Sequence, residues 1–219
     1  MPTLLWNEGF ESYTAGNDTI TSPWSGASNT IISTAIKHSG AQSLGTGRGG
    51  NGGSTTRPLI SLTTQVPIWT VDFWVYVPTG GDATDPPVTN GPGIRMADSV
   101  GGGNVAFLIG GAGTCIISVQ FGATFHTFDL SLDTWHHIVW SVSQAASGGT
   151  SAVSVDGVAQ TPFTGDTRNY GGTAYSDELT LTGQTIGPSP TAEVYFDDMN
   201  IYSGIPAANV NGPMIRMVG

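Results

Sequence analysis

Apolar positions along the chain recur with a period of two in short runs, and Gly, Ser, Thr and Pro separate one run from the next. Period two puts alternate side chains on opposite faces of a strand, whereas a helix needs repeats of three and four, and no stretch shows those convincingly. In TVDFWVYVP, Val71, Phe73, Val75 and Val77 share one face and Asp72, Trp74 and Tyr76 the other. This predicts a strand with one core face and one aromatic-polar face. The segment WHHIVWSVS repeats the theme, with Ile138, Trp140 and Val142 on one side and His137, Val139, Ser141 and Ser143 on the other. Trp140 is predicted to be buried. Further strands are predicted over 30–35, 41–45, 58–62, 105–109, 115–121, 125–130, 152–155 and 179–186, with a closing strand within 192–202. Spacings of roughly a dozen residues with turn residues between them favour antiparallel pairing, because parallel strands need long crossover helices. The fold class expected is therefore all-β, an antiparallel two-sheet β-sandwich.

At 219 residues the chain suits one large β domain. The segment NEGFESYTAGNDTITSPWSG opens at Asn7 and AEVYFDDMNIY runs from Ala192 to Tyr202, which predicts a chain that leaves a sandwich edge and returns beside its start. Residues 1–204 are assigned to the sandwich. Residues 205–219 form a nearly uncharged tail or extra edge strand, whose Pro213, Met214, Ile215, Arg216 and Met217 are candidates for docking on a neighbouring subunit; packing on their own domain is the alternative. NGPGIRM at 90–96 and NGPMIRM at 211–217 agree at six of seven positions. That echo is too short for a repeat architecture and fits two Pro-started edge strands or chance. The Gly-rich stretches 45–54, 80–92 and 101–103 are expected to be surface loops. GTGRGGNGG is no phosphate cradle, since no apolar strand leads through it into a helix.

Composition narrows the partners. Only 10% of residues are charged, against about 25% in an average soluble protein, so the surface is mostly neutral hydroxyl and amide. The formal charge of −10 comes from 16 acidic and 6 basic residues. Lys37 is the single lysine, and Arg48, Arg57, Arg95, Arg168 and Arg216 are scattered. Nucleic acid and anionic membranes are excluded as expected partners, because both need clustered basic residues. The Met-Pro-Thr start carries no basic and apolar leader pattern and no run reaches membrane-spanning length, which sets the expectation of synthesis in a cytoplasm.

Little catalytic chemistry is legible. Cys115 is the only cysteine, which excludes an intrachain disulfide, and its apolar run TCIISVQF predicts a buried, inert thiol. His136 and His137 face opposite ways in a regular strand, and His38 and His126 are far off in sequence, so no zinc site is expected. The closest acidic groups, Glu8 with Glu11, Asp177 with Glu178 and Asp197 with Asp198, never alternate.

Several segments carry a resemblance to the concanavalin A-like and laminin-G-like jelly rolls and the related β-sandwich carbohydrate-binding modules. NEGFE followed by PWSG resembles their opening, and KHSGAQSL their second strand. DTWHHIVWSV followed by VSVDGV is similar to the laminin-G-like pair in which a tryptophan strand precedes one ending in Asp-Gly, and VYFDDMNIY to the closing strand. The resemblance implies a structural calcium ion near the joined ends, ligated by Glu11 of the opening strand and by Asp197 or Asp198 of the last. A regular strand sends Asp197 and Asp198 to opposite faces, so both can serve only across a bulge. Glycan binding is the second implied trait, with Trp74, Tyr76 and Asp72 as the expected sugar platform and His126, His137 and Tyr170 as supplements; aromatics packed between the sheets or under a loop are the alternative. Glucanases of this fold place three carboxylates at alternate positions of one strand, a series this chain lacks. No catalytic residue is therefore assigned, and the protein is expected not to be an enzyme.

The resulting expectation is a non-enzymatic virion structural protein of a bacteriophage, decorating or cementing the capsid or attached to the tail, with an accompanying ability to bind glycan. Similar jelly rolls recur in phage virions, and the neutral surface and apolar tail suit subunit contacts. Its partners would be capsid or tail proteins, further copies of itself and a cell-surface glycan. An extracellular carbohydrate-binding module is the alternative. A polysaccharide-degrading enzyme, such as a lyase working through Tyr, His and Arg, is the third.

Overall fold

A computed structural model of the chain describes residues 1–16, 23–25, 30–46, 58–80, 92–100, 104–110, 112–119, 124–169, 172–182 and 194–205. Tyr170, most of the three Gly-rich stretches and the tail residues Pro213, Met214, Ile215, Arg216 and Met217 lie outside the described residues. Among the described residues every regular element is a strand. One sheet comprises β1 (Thr3–Glu8), β2 (Thr30–Ser33), β3 (Ser43–Thr46), β5 (Ile68–Tyr76), β10 (Trp135–Ser143), β11 (Gly149–Val155), β12 (Val158–Ala159), β13 (Phe163–Gly165) and β15 (Val194–Ser203). The other comprises β4 (Leu59–Val66), β6 (Gly93–Ala97), β7 (Asn104–Ile109), β8 (Thr114–Val119), β9 (Thr124–Asp129) and β14 (Ser176–Thr182). The protein is thus an all-β, two-sheet sandwich of antiparallel strands.

The first sheet runs β12-β11-β10-β5-β15-β3-β2, with β1 pairing β15 and β13 pairing β11. The opening and closing strands pair as the sequence implied: Thr3 pairs with Ser203 and Glu8 with Met199. The alternation in β5 and β10 is also the observed one, with Val71, Phe73, Val75, Ile138, Trp140 and Val142 fully buried. Phe73 meets Phe107 of the opposite sheet edge-on, with ring centroids 5.5 Å apart, and Phe107 lies 6.0 Å from Trp140. These rings are the bolts between the layers, each fully buried aromatic contributing about 1.5–3 kcal/mol relative to exposure. Cys115 is fully buried on β8, and burial pushes its thiol pKa far up, as expected of an inert thiol.

Two expectations change. NGPGIRM does not start an edge strand: β6 lies between β14 and β7 in the six-stranded sheet, with Ile94 and Met96 fully buried. Its start is instead fixed by tight packing, since a Cβ on Gly93 would fall 1.9 Å from the Phe107 carbonyl oxygen. Glu11 is not on the first strand either, because β1 ends at Glu8 and the chain turns through Phe10, whose φ is 61°. Glu8 closes that turn, its carboxylate accepting the Phe10 N–H at 2.8 Å and the Tyr13 hydroxyl at 2.9 Å.

Candidate functional site

The side of β5 that faces away from the core carries Thr70, Asp72, Trp74 and Tyr76 in the middle of the nine-stranded sheet. Trp74 has His137 of β10 as its cross-strand neighbour on one side and Asp197 of β15 on the other. The His137 ring lies nearly parallel to the indole at 5.0 Å, and the His38 ring at 3.6 Å with an interplanar angle of 13°. His38 is held by β15 through Asp197 and Asp198, and both imidazoles stack against Trp74. Trp74, expected as part of a sugar platform, is half-buried between β10 and β15 with these rings stacked against it. The three half-buried rings form a rib, continued by Trp135, which lies 5.8 Å from His38 and 5.5 Å from Tyr76.

A carboxylate orients each imidazole. His137 Nε2 sits 2.7 Å from Asp72 Oδ1, and a carboxylate can only accept, so that nitrogen carries the proton. This hydrogen bond raises the His137 pKa against the opposing effect of burial. Asp72 is 3% exposed and its Oδ2 has no hydrogen-bond partner among the described residues, so its pairing with His137 is what compensates a costly burial. His38 Nδ1 donates to Asp198 Oδ2 at 3.1 Å, and Ser39 Oγ donates to the same oxygen at 2.7 Å. Tyr76 Oη donates to Asp133 Oδ1 at 3.2 Å, and burial together with that carboxylate raises the phenol pKa.

The segment carrying His38 is pinned from below. Asp197, fully buried, accepts the N–H groups of His38 at 2.9 Å, Ser39 at 3.1 Å and Asp198 at 2.8 Å. Desolvation still raises its pKa, despite those donors. Asp198 has φ 47°, and the β15–β5 register shifts between Asp197 and Asn200. This is the bulge that a regular strand excludes, and it lets both aspartates reach the same loop. Glu11 holds the loop's other end, accepting the Ala41 N–H at 3.0 Å.

Of the three carboxylates expected as calcium ligands, Asp197 accepts three N–H donors and Glu11 accepts the Ala41 N–H. Near Gly9, a built Cβ would lie 3.8 Å from Asp198 Oδ1 and 3.9 Å from Glu11 Cγ, while the Glu11 carboxylate oxygens turn to the Ala41 N–H. Among the described residues no three His, Cys, Asp or Glu side chains cluster for a metal, so further ligands would be carbonyl oxygens or water, which calcium accepts.

Of the remaining expected residues, His126 is not on this face. It is buried on β9, with Nε2 3.1 Å from both the carbonyl and hydroxyl oxygens of Ser151, and burial lowers its pKa. Sequence reasoning missed His38 and Trp135. Trp135 continues the alternation of His137 and could have been found that way; His38 had no local signal.

A family model described as the concanavalin A-like lectin/glucanases superfamily matches residues 48–208. No curated protein sequence matches the chain. Among solved structures, alginate lyase Aly36B is 13% identical with a TM-score of 0.58, covering 89% of this chain and 95% of its own. The receptor-binding domain of botulinum neurotoxin type G is 14% identical with a TM-score of 0.57, covering 85% of this chain. This chain spans 44% of that structure. A carbohydrate esterase from the Shiga toxin-encoding bacteriophage phi24B is 17% identical with a TM-score of 0.54, covering 83% of this chain and 90% of its own. At these identities the likeness is one of fold.

Proposed function

Because the chain belongs to the concanavalin A-like lectin/glucanases superfamily, we propose that it is a glycan-binding structural protein of a bacteriophage particle, decorating the capsid or carried on the tail. The observation that carries the glycan half is the half-buried rib His137–Trp74–His38, with Trp135 and Tyr76 beside it and carboxylates along its edges. Sugars are bound by apolar ring surface flanked by fixed hydrogen-bonding groups, and this face supplies both. A saccharide would lie across the rib and the rings of Trp135 and Tyr76 beside it. Proteins of similar fold are named for receptor binding or for action on polysaccharide, and one is encoded by a phage.

A glycan array probed with calcium present tests this: wild type binds and Trp74→Ala, which removes the rib's centre, loses binding at least about tenfold, equivalent to about 1.4 kcal/mol. A blank array refutes the glycan half. Mass spectrometry of purified particles tests the virion half, with capsid or tail proteins and further copies of the chain as partners. Truncation after Gly204 is expected to abolish attachment and keep the fold; unimpaired attachment removes the tail's role. The extracellular-module alternative uses the same face and differs only in being absent from particles. A calcium ion held by Glu11 and Asp198 beside Gly9 belongs to the same proposal as a brace on the chain-end seam.

A further inference from the structure

Next to the rib, and using none of its side chains, lies a hydroxyl–imidazole–carboxylate relay. His136 points to the opposite side of β10 from His137 and is 8% exposed, beneath the β9–β10 loop. Its Nδ1 lies 2.7 Å from Asp156 Oδ2 and its Nε2 lies 2.9 Å from Ser131 Oγ. The carboxylate can only accept, so Nδ1 carries the proton and Nε2 presents a lone pair. Ser131 offers that nitrogen two oxygens, the hydroxyl and, at 3.1 Å, its own carbonyl. Only the hydroxyl can donate to a lone pair, so the neutral tautomer aligns Ser131 Oγ–H with its base. Asp156 is itself fixed: it occupies the Asp-Gly turn between β11 and β12 with φ 51°, and its Oδ1 accepts the His137 N–H at 2.8 Å. Ser131 is exposed, so an electrophile can reach it.

We propose that Ser131, His136 and Asp156 form an acyl-transfer site that hydrolyses small O-acyl esters, with Ser131 as nucleophile, His136 as general base and Asp156 as the residue that positions it. Ser131 Oγ bonds to the ester carbonyl carbon while its proton passes to His136 Nε2 and the carbonyl π pair moves to oxygen. Collapse expels the alcohol oxygen, which takes that proton. Water, deprotonated by His136, then attacks the acyl-serine, so that ester and water become acid and alcohol and the enzyme is restored. The main-chain N–H of Leu132 directly follows the nucleophile, a position from which hydrolases draw an oxyanion donor. The substrate class follows from the surroundings. Asp133 and Asp156 flank the serine and the chain carries −10, which disfavours anionic esters, and an exposed loop serine has room for a small acyl group. Trp135 of the aromatic group directly precedes His136 on β10, so an acyl group on a saccharide bound beside it is the fitting substrate. The substrate identity rests on the glycan reading; the nucleophile does not.

The full chain is treated with a fluorophosphonate probe and with p-nitrophenyl acetate. We expect a covalent adduct mapped by mass spectrometry to Ser131, and ester hydrolysis that falls about a hundredfold or more in Ser131→Ala, the scale of a positioned nucleophile and base. Asp156→Asn is expected to lower the rate and displace the pH profile at unchanged Tm, which a purely structural tie would not do. Absence of a Ser131 adduct on wild type, or equal hydrolysis by Ser131→Ala, overturns the proposal. A labelled Ser131 with a blank glycan array overturns the glycan reading alone.

Discussion

Replacing Asp197 with alanine isolates the contact on which the aromatic rib depends. The carboxylate is fully buried and accepts three main-chain N–H groups, from His38, Ser39 and Asp198. A buried N–H left without an acceptor costs about 1–3 kcal/mol. All three residues are half-buried, so water can enter and each loss falls near the low end, for a gross cost of about 3 kcal/mol. Removing a carboxylate whose pKa is raised by desolvation offsets part of this. The net expectation is a loss of about 2–3 kcal/mol, a substantial part of the roughly 5–15 kcal/mol that holds a domain together. For a chain of this size that lowers Tm by about 4–12 °C. Urea unfolding followed by far-UV circular dichroism measures it, with an unchanged slope showing that the native fold persists. Because the 38–39 backbone is released, the near-UV signal of the stacked His38 and Trp74 rings should weaken in parallel. Asp197→Asn keeps one accepting oxygen but turns a donor toward the N–H groups, so about half of the loss is expected. A loss below about 0.5 kcal/mol for alanine, the range of ordinary surface changes, would refute the pinning role.

Asp72→Asn should shift the balance of stability with pH. The His137 pKa is raised in the folded protein by its bond to Asp72. The stability this contributes is complete below the unfolded histidine value of about 6.5 and is lost as pH rises through the higher folded value. The stability gap between wild type and Asp72→Asn should therefore be larger at about pH 6 than at about pH 9, and a His137 titration by NMR at or below about 6.5 would remove the basis for it. A strong chelator is expected to lower the Tm of wild type and to have no effect on Asp198→Asn; an unmoved wild-type Tm sinks the calcium brace. Trp74→Ala should lose stability together with glycan binding, since two imidazoles stack against the indole, and urea unfolding beside the array separates the two effects.

What could be read from the sequence was what depends on local periodicity. Alternation along a strand is a property of each residue and its neighbours, so TVDFWVYVP identified both the core face of Val71, Phe73 and Val75 and the outward face of Asp72, Trp74 and Tyr76. The same rule buried Trp140 and Cys115 and separated His136 from His137. The Asp-Gly turn at Asp156 and Gly157, where both residues take positive φ, is equally local. The pairing of the chain ends was legible from the matched motifs at the two termini.

The site itself was decided by tertiary structure. Trp74 alone reads as an open platform, and only the fold brings His38 onto its face, held by Asp197 and Asp198 at sequence separations of 159 and 160. Alternation sends adjacent aspartates apart; the positive φ of Asp198 and the register shift beside it turn both toward one loop. NGPGIRM carries no mark of whether its strand lies at an edge or inside a sheet, because that depends on which strands arrive on either side. Ser131, His136 and Asp156 are close in sequence yet lie on a loop, a strand and a turn, and they become a relay only when β10 and β11 pair in register. Period-two patterning sets the direction in which a side chain points. Which distant side chain it meets there is set by how the strands pair and stack.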